Sequence, residues 1–590
     1  MKISNTFQVL ACVLSWAICT PLNQTVTPIG CRRLKTDMDW PRREVWENAL
    51  PGVIPTPGSD KYGPLPDYRL QVTTVADVQR AVRFATQHNI RLTVLTTGHD
   101  QLARSDAGSG LIIDLSLFNG VHLLESFSPT EEGQPFVEPG TEANVITPKD
   151  GVQAAVTFGP ARAGLQLNYA VGQSGLFSVS GAAATVALGG GWGQNGGYGP
   201  LTAQYGLGVD QWLEAHVVTP DGELRIANEN ANQDLFWAIR GGGGGTFGVV
   251  VQATWKVYPA VPMTGFNWYM NTTSENIDLE PGHLPTTKAM EYLLGKLPEL
   301  KEKGITLYVY AYPTILRGYA IHPGVNAGVT NANAVWGPIL ERMQSFPGMT
   351  PFQTRPFEFA NYREFFDTTY GPLEAQPTTP QDRRNRGVVP YDSRLLAAEH
   401  LTSPNITSAF SSAKNGYGVL LAAPGQAAGD GSATSANPGW RRAVALIVGT
   451  KSDTANFDGL RELAPDMGTY INEASVNEEN WTESFWGSNY PRLSEIKRRY
   501  DPNMTFWVSP GINADHMQAV DGRACLVDPI PSTPSRFPPV TERRHLADMD
   551  VDGKFLFGDL ELIGTQFPQP GAEIGLQPFS RNSSPYGQRQ

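Results

Sequence analysis

Thr96-Thr97-Gly98-His99-Asp100 is the stretch on which the reading of this chain turns. The run before it, Arg91-Leu92-Thr93-Val94-Leu95, follows the polar/apolar strand period, so the pentapeptide is predicted as the turn that ends a strand. Gly98 supplies freedom at positive φ, which lets backbone amides approach a ligand closely. A histidine displayed on such a turn is a nucleophile or ligand in search of a partner. One surface histidine on a loop would be the plain alternative, and what overturns it is the company His99 keeps further along.

Two glycine clusters dominate the same region. Gly189-Gly190-Gly191-Trp192-Gly193-Gln194-Asn195-Gly196-Gly197-Tyr198-Gly199 is the first, and Gly241 to Gly245 followed by Thr246-Phe247-Gly248 is the second. Each contains G-x-G-x-x-G, yet the dinucleotide fingerprint fails. It needs a helix straight after the glycines and an acidic residue about 20 positions on. Val249 to Trp255 reads instead as a strand, and position 268 is Trp. No G-x-x-x-x-G-K-[ST] is present either, which removes a P-loop hydrolase. The physical use of the clusters survives: glycines let main-chain N–H groups converge on a phosphate or a flat ring. Two clusters together with the His99 turn favour a large phosphorylated cofactor over a simple packing crossover.

Size and charge bound the rest. The chain has 590 residues, enough for two or three domains, with 61 Gly and 46 Pro. A net charge of −12 argues against nucleic acid or an acidic membrane surface as partner. Lys2 followed by an apolar run from Phe7 to Ile18 reads as a signal peptide over residues 1–19, too short to span a bilayer. Export leaves Cys31 and Cys525, which are expected to pair; two free thiols are the alternative. Sequons at Asn23, Asn271, Asn405, Asn480, Asn503 and Asn582 fit the same secretory route.

Thr74-Val75-Ala76-Asp77 resembles a capping box, opening a helix that carries Val78, Ala81, Val82 and Ala85 on one face. Strands are expected at 111–115, 154–158 and 214–218, and Thr219-Pro220-Asp221-Gly222 turns the last of these into Glu223–Ala227. Beyond Met263 longer amphipathic segments (Thr287–Leu294) mix with strands (Ile305–Tyr312), and from Tyr470 to Asn513 glycine turns and aromatics return. The Pro-rich stretch after Asp528 reads as a surface extension. His88, His122, His216 and the other histidines show no metal-ligand spacing, so no metal is expected. The G-x-S-x-G elbow of a hydrolase is missing as well.

These motifs carry a family resemblance. Asp77–Arg91, Thr97–Asp100, Gly189–Gly199, Tyr205-Gly206-Leu207, Asp234 through Val250, Tyr470–Ala474, Gly487–Tyr490 and Tyr500–Asn503 together resemble the vanillyl-alcohol-oxidase-like flavoproteins, in particular the berberine-bridge-enzyme-like branch of secreted fungal oxidoreductases. The resemblance implies an α+β fold: a PCMH-type FAD-binding domain in two subdomains, plus an α+β substrate domain with an antiparallel sheet, and FAD between them. Its boundaries would be an arm at 20–66, the FAD-binding domain at 67–260, the substrate domain at 261–465, a returning segment at 466–515 and a tail at 516–590. His99 matches the histidine this family bonds to the flavin, while Thr96, Thr97, Gly98 and Asp100 form its turn. Thr185, Val186, Gly189, Gly190, Gly191, Gly196, Gly248, Val250 and Asn472 are further cofactor-binding candidates. Relatives with a second, cysteinyl link have Cys where this chain has Ala183, so attachment through His99 alone is expected. Val186 matches a position that is Val in oxygen-reactive members; a buried strand valine is the other reading. Tyr205 and Tyr490 are the catalytic candidates, each with a packing role as its alternative. The implied activity is an oxidase taking hydride from an alcohol or similar small natural product and passing electrons to O2, in a monomeric secreted enzyme. A carbohydrate oxidase and a flavin-bearing binding protein are the alternatives.

Overall fold

The computed structural model describes residues 30–60, 63–276, 284–370, 390–413, 417–421 and 430–527. The expected signal peptide, the sequons at Asn23 and Asn582 and the part of the expected 516–590 tail beyond residue 527 lie outside the described residues; within those bounds Met517–Val520 and Arg523–Leu526 are sheet strands rather than tail.

Three sheets carry the architecture. Tyr68–Gln71, Leu111–Asp114 and Leu92–Leu95 form a parallel core, with Ile54–Pro55 added antiparallel at one edge. Helix Val75–Gln87 is the crossover between the first and last of these parallel strands. It starts where the sequence places its capping box: Asp77 N donates to Thr74 Oγ1 at 3.2 Å and Thr74 N donates to Asp77 Oδ2 at 2.9 Å. The predicted apolar face, Val78, Ala81, Val82 and Ala85, is fully buried. Helix Arg43–Ala49 packs there too, with Trp46 stacked on Tyr68 at 4.2 Å. Residues 43–49, expected only as part of an arm at 20–66, gain a place in the core through this large indole.

The second sheet is antiparallel, in the order Leu224–Asn228, Trp212–Val218, Val249–Lys256, Ala155–Phe158, Val121–Leu124. The expected turn closes between Thr219 and Glu223, with Gly222 at φ +78°. A strand follows Gly248 directly, as the failed dinucleotide fingerprint requires.

The third sheet has seven strands, ordered 353–359, 263–271, 315–323, 306–312, 417–421, 443–450 and 391–397. Helix Pro285–Glu302 packs against it and against helix Val329–Gln344. The first of these extends well past the Thr287–Leu294 segment seen in sequence, because Leu297 and Leu300 continue its buried face.

After this sheet the chain returns to the glycine turns. Trp486 Nε1 donates to Gly241 O at 2.9 Å. Buried Lys497 donates to Thr246 O at 2.5 Å, Asp501 Oδ2 at 2.6 Å and Phe506 O at 2.7 Å. Strands Gly30–Cys31, Arg523–Leu526 and Met517–Val520 join the two ends, and Cys31 and Cys525, directly opposite in register, form the expected disulfide. Among the described residues no helix is long and apolar enough to cross a membrane, and no group of three His, Cys, Asp or Glu could hold a metal.

Candidate functional site

The parallel strand Leu92–Leu95 delivers Thr96–Asp100 to the mouth of a cavity of about 550 Å³, within the range of small-molecule and cofactor sites. All three sheets contribute to its wall. The turn after the first sheet supplies Thr96, Thr97, Gly98, His99, Asp100, Gln101 and Arg104. The loop 181–195 brings Ala183, Thr185, Val186, Gly189, Gly190 and Gly191, and Gly244, Gly245, Gly248 and Val250 come from the second cluster. Tyr308 and Tyr391 stand on the seven-stranded sheet, and Tyr470, Asn472 and Glu473 on the returning segment.

Local geometry explains how the turn holds its shape. Gly98 adopts φ +77°, the conformation read from its sequence. Asp100 organises the loop behind it, accepting from Ser105 N at 2.9 Å and from the Arg104 guanidinium at 2.9 Å. Arg104 in turn donates to Asn472 Oδ1 at 2.8 Å, and Asn195 Nδ2 donates to the same oxygen at 3.0 Å. Asn472 also donates to Tyr470 Oη at 2.8 Å. The His99 turn, the first glycine cluster and the returning segment are therefore one hydrogen-bonded wall. His99 Nε2 lies 2.7 Å from Thr185 Oγ1. Gly243 N donates to Gln194 O at 3.0 Å, which locks the two clusters together.

The glycines form a cradle that side chains would close. A Cβ on Gly190 would stand 2.6 Å from Thr96 Oγ1, and one on Gly244 would stand 3.3 Å from Gly191 Cα. Gln101 Oε1 and Asn195 Oδ1 are buried acceptors with no hydrogen-bond partner in the protein, on residues of this wall. A glycine cradle, polar acceptors and a histidine facing the same space fit a flat, phosphate-bearing cofactor such as FAD.

Three of the residues singled out in sequence are not brought to the wall. Gly196, at φ +143°, stands behind it, where a Cβ would lie 3.2 Å from the Tyr470 ring. Tyr205 packs edge-on to Phe177 at 5.0 Å and against Tyr258 at 4.7 Å, and burial pushes its phenol pKa up, away from the needs of a base. Tyr490 is buried beside Trp481 and Trp486, its hydroxyl accepting from Asn513 N at 3.2 Å. The polar side chains that do face the cavity from that side are Tyr198, Tyr308, Tyr391, Tyr470 and Glu473. Tyr470 and Glu473 belong to the motif Tyr470–Ala474, in which the sequence marks a role for Asn472 alone. Tyr308 and Tyr391 carry no sequence signal beyond strand periodicity.

Comparison with known proteins gives the family and the cofactor class. The FAD binding domain family matches residues 66–228, and the berberine and berberine-like family matches residues 469–513. An uncharacterized FAD-linked oxidoreductase of Arthroderma benhamiae is 32% identical over 490 residues, covering 77% of this chain and 78% of its own. A VAO-type flavoprotein of Myceliophthora thermophila superposes with a TM-score of 0.69 at 24% identity, over 84% of this chain and all of its own. A glucooligosaccharide oxidase of Acremonium strictum, described with a 6-S-cysteinyl, 8α-N1-histidyl FAD, shares the fold at a TM-score of 0.57 and 17% identity, over 80% of this chain and 95% of its own. The chain belongs to the berberine-like FAD-linked oxidoreductases. It is an FAD-dependent enzyme with the VAO-type α+β fold.

Proposed function

We propose that this enzyme is a secreted, monomeric oxidase that holds FAD covalently through His99 alone, oxidises an alcohol or similar small natural product, and passes the electrons to O2. The observation that carries the reading is the single cavity shared by His99, both glycine clusters and a tyrosine-rich face of the seven-stranded sheet. Bound there, FAD supplies hydride acceptance at its N5. The protein's share is to hold the cofactor, orient the substrate C–H and take up the hydroxyl proton.

Each component has support in particular residues. His99 faces the cavity with Thr185 as ring partner, so its imidazole is oriented rather than loose. Ala183 occupies the wall where a cysteinyl link would need sulfur, and the two described cysteines are joined to each other. Val186 also lines the cavity, consistent with access for O2. Thr96, Thr97, Gly98, Asp100, Gly189, Gly190, Gly191, Gly248, Val250 and Asn472 are assigned to cofactor binding on the same ground. Gly196 supports the site indirectly, by leaving room for Tyr470. The disulfide suits an oxidising compartment.

The test has two arms. Acid precipitation followed by digestion is expected to leave flavin on the peptide containing His99, and His99→Ala is expected to release all of it. Hydrogen peroxide is expected from a panel of benzyl alcohol, cinnamyl alcohol, glucose and cellobiose, with the alcohols preferred. Yellow colour that washes out of the wild-type protein refutes covalent attachment. Peroxide from the sugars alone selects the carbohydrate alternative, and none from any panel member selects the binding protein.

A further inference from the structure

The cavity wall holds one ionisable group whose presence the fold does not explain. Several buried carboxylates among the described residues are neutralised by a cation: Asp210 by Arg441 at 2.8 Å, Asp501 by Lys497 at 2.6 Å, and Glu478 by Arg461 at 2.6 Å. Glu473 is different. Among the described residues no Lys, Arg or His comes within ion-pair distance of it, and its hydrogen-bond donor is the Tyr198 hydroxyl, 2.9 Å from Oε1 and 2.7 Å from Oε2. One O–H serves both oxygens, which leaves most of the acceptor capacity of the carboxylate unfilled on the side that lines the cavity. A purely structural carboxylate in such a place is destabilising.

We propose that Glu473 is the general base of this enzyme, taking the substrate's hydroxyl proton directly or through Tyr198. The inference rests on the cavity being the flavin and substrate site, as proposed above. In the step, the substrate C–H leaves with its electron pair to FAD, and the O–H proton passes to the Glu473 carboxylate. On the relayed route, Tyr198 gives its proton to Glu473 as it accepts the substrate's. The product is the carbonyl compound. The carboxylic acid then returns its proton as O2 takes up the two electrons, so that alcohol and O2 become carbonyl and hydrogen peroxide.

The surroundings favour Glu473 over the neighbouring phenols. The groups around it are Tyr198, which donates to it, Tyr391 on the seven-stranded sheet and Tyr470 on its own segment, with Tyr308 near Tyr198, and Arg104 near Tyr470 engaged by Asp100 and Asn472. Burial raises the Glu473 carboxyl to about 7, partly offset by the Tyr198 hydrogen bond. A base poised there is about half ionised at neutral pH, so it can both accept a proton and release it. Burial pushes the phenols of Tyr198, Tyr391 and Tyr470 further up, and the charge of Glu473 adds to this. They are donors and relays.

Rapid mixing of the holoenzyme with cinnamyl alcohol, followed by flavin bleaching, tests the assignment. In wild type the bleaching rate is expected to rise with pH through an apparent pKa near 7. Glu473→Gln is expected to lose on the order of 10²–10⁴-fold in that rate and to flatten the profile. Flavin content and the saturation constant for the alcohol are expected to be unchanged. Infrared difference spectra of the holoenzyme are expected to show a protonated carboxyl band that titrates in the same range and vanishes in Glu473→Gln. A wild-type rate and profile in Glu473→Gln overturns the proposal alone. Wild-type flavin that neither cinnamyl alcohol nor any other panel member bleaches overturns the functional reading, and this proposal with it.

Discussion

Lys497 is the residue whose loss tests the architecture most directly. Its ammonium is fully buried and donates to Thr246 O, Asp501 Oδ2 and Phe506 O, so one charge ties the returning helix Tyr490–Tyr500 to the second glycine cluster. Lys497→Met keeps the length of the side chain and removes all three bonds. Asp501 keeps its bonds from Thr505 N at 2.8 Å and Phe506 N at 2.9 Å, but loses its cation. Breaking a buried pair in this way costs roughly 3–5 kcal/mol. With an unfolding entropy of about 2.1 cal/mol/K per residue over the roughly 460 described residues, that corresponds to a fall in Tm of about 3–5 °C. Calorimetry of wild type, Lys497→Met, Asp501→Asn and the double variant completes the cycle. The double variant is expected to recover part of the loss, since no charge is then left unpaired. A Lys497→Met protein within about 1 kcal/mol of wild type would refute the argument, for the pair would then contribute no more than a surface ion pair.

Three further outcomes follow from other parts of the molecule. Cys525→Ser opens the bond between the chain ends and is expected to lower stability by roughly 2–5 kcal/mol, read by denaturant titration under non-reducing conditions. Gly199→Ala places a Cβ 1.9 Å from the Ser180 carbonyl oxygen, a backbone atom that cannot rotate away, so the soluble yield is expected to collapse while Gly295→Ala, which meets nothing within 4 Å, expresses normally. His322 accepts from Trp336 Nε1 at 3.0 Å, and burial holds its pKa down to about 4 from the ordinary 6.5. The folded protein therefore favours the neutral ring: stability is intact above pH 6.5 and declines as pH falls towards 4, by roughly 3 kcal/mol at about 1.36 kcal/mol per pH unit. Urea midpoints across that range are expected to lose this component in His322→Gln.

Much of the fold is legible from local signals. The capping box at Thr74, the apolar spacing from Val78 to Ala85 and the strand ahead of Gly98 depend on neighbours a few residues apart, and the structure builds all of them. Asn472 reaches the wall because a recognisable motif carries it. The chemistry of the cavity is less visible because it is assembled across long separations. Tyr198 and Glu473 lie 275 positions apart, and no period or spacing links them. Tyr205 shows the reverse case: its motif is clear, yet its ring is covered by Phe177 and Tyr258, aromatics whose proximity is decided by the pairing of Leu176–Phe177 with Tyr258–Pro259. The Arg43–Ala49 helix is missed because its single large anchor, Trp46, gives too little periodicity to read.

Gly30 pairs with Leu526 at the edge of the three-stranded sheet, so residues 30 and 527, the two ends of the described body, lie side by side. In connectivity the body is a ring rather than a line. A short linker from residue 527 to residue 30 would close that ring covalently, and new termini could then be cut at an exposed turn such as the one at Gly151, giving a circular permutant with the cofactor cradle intact.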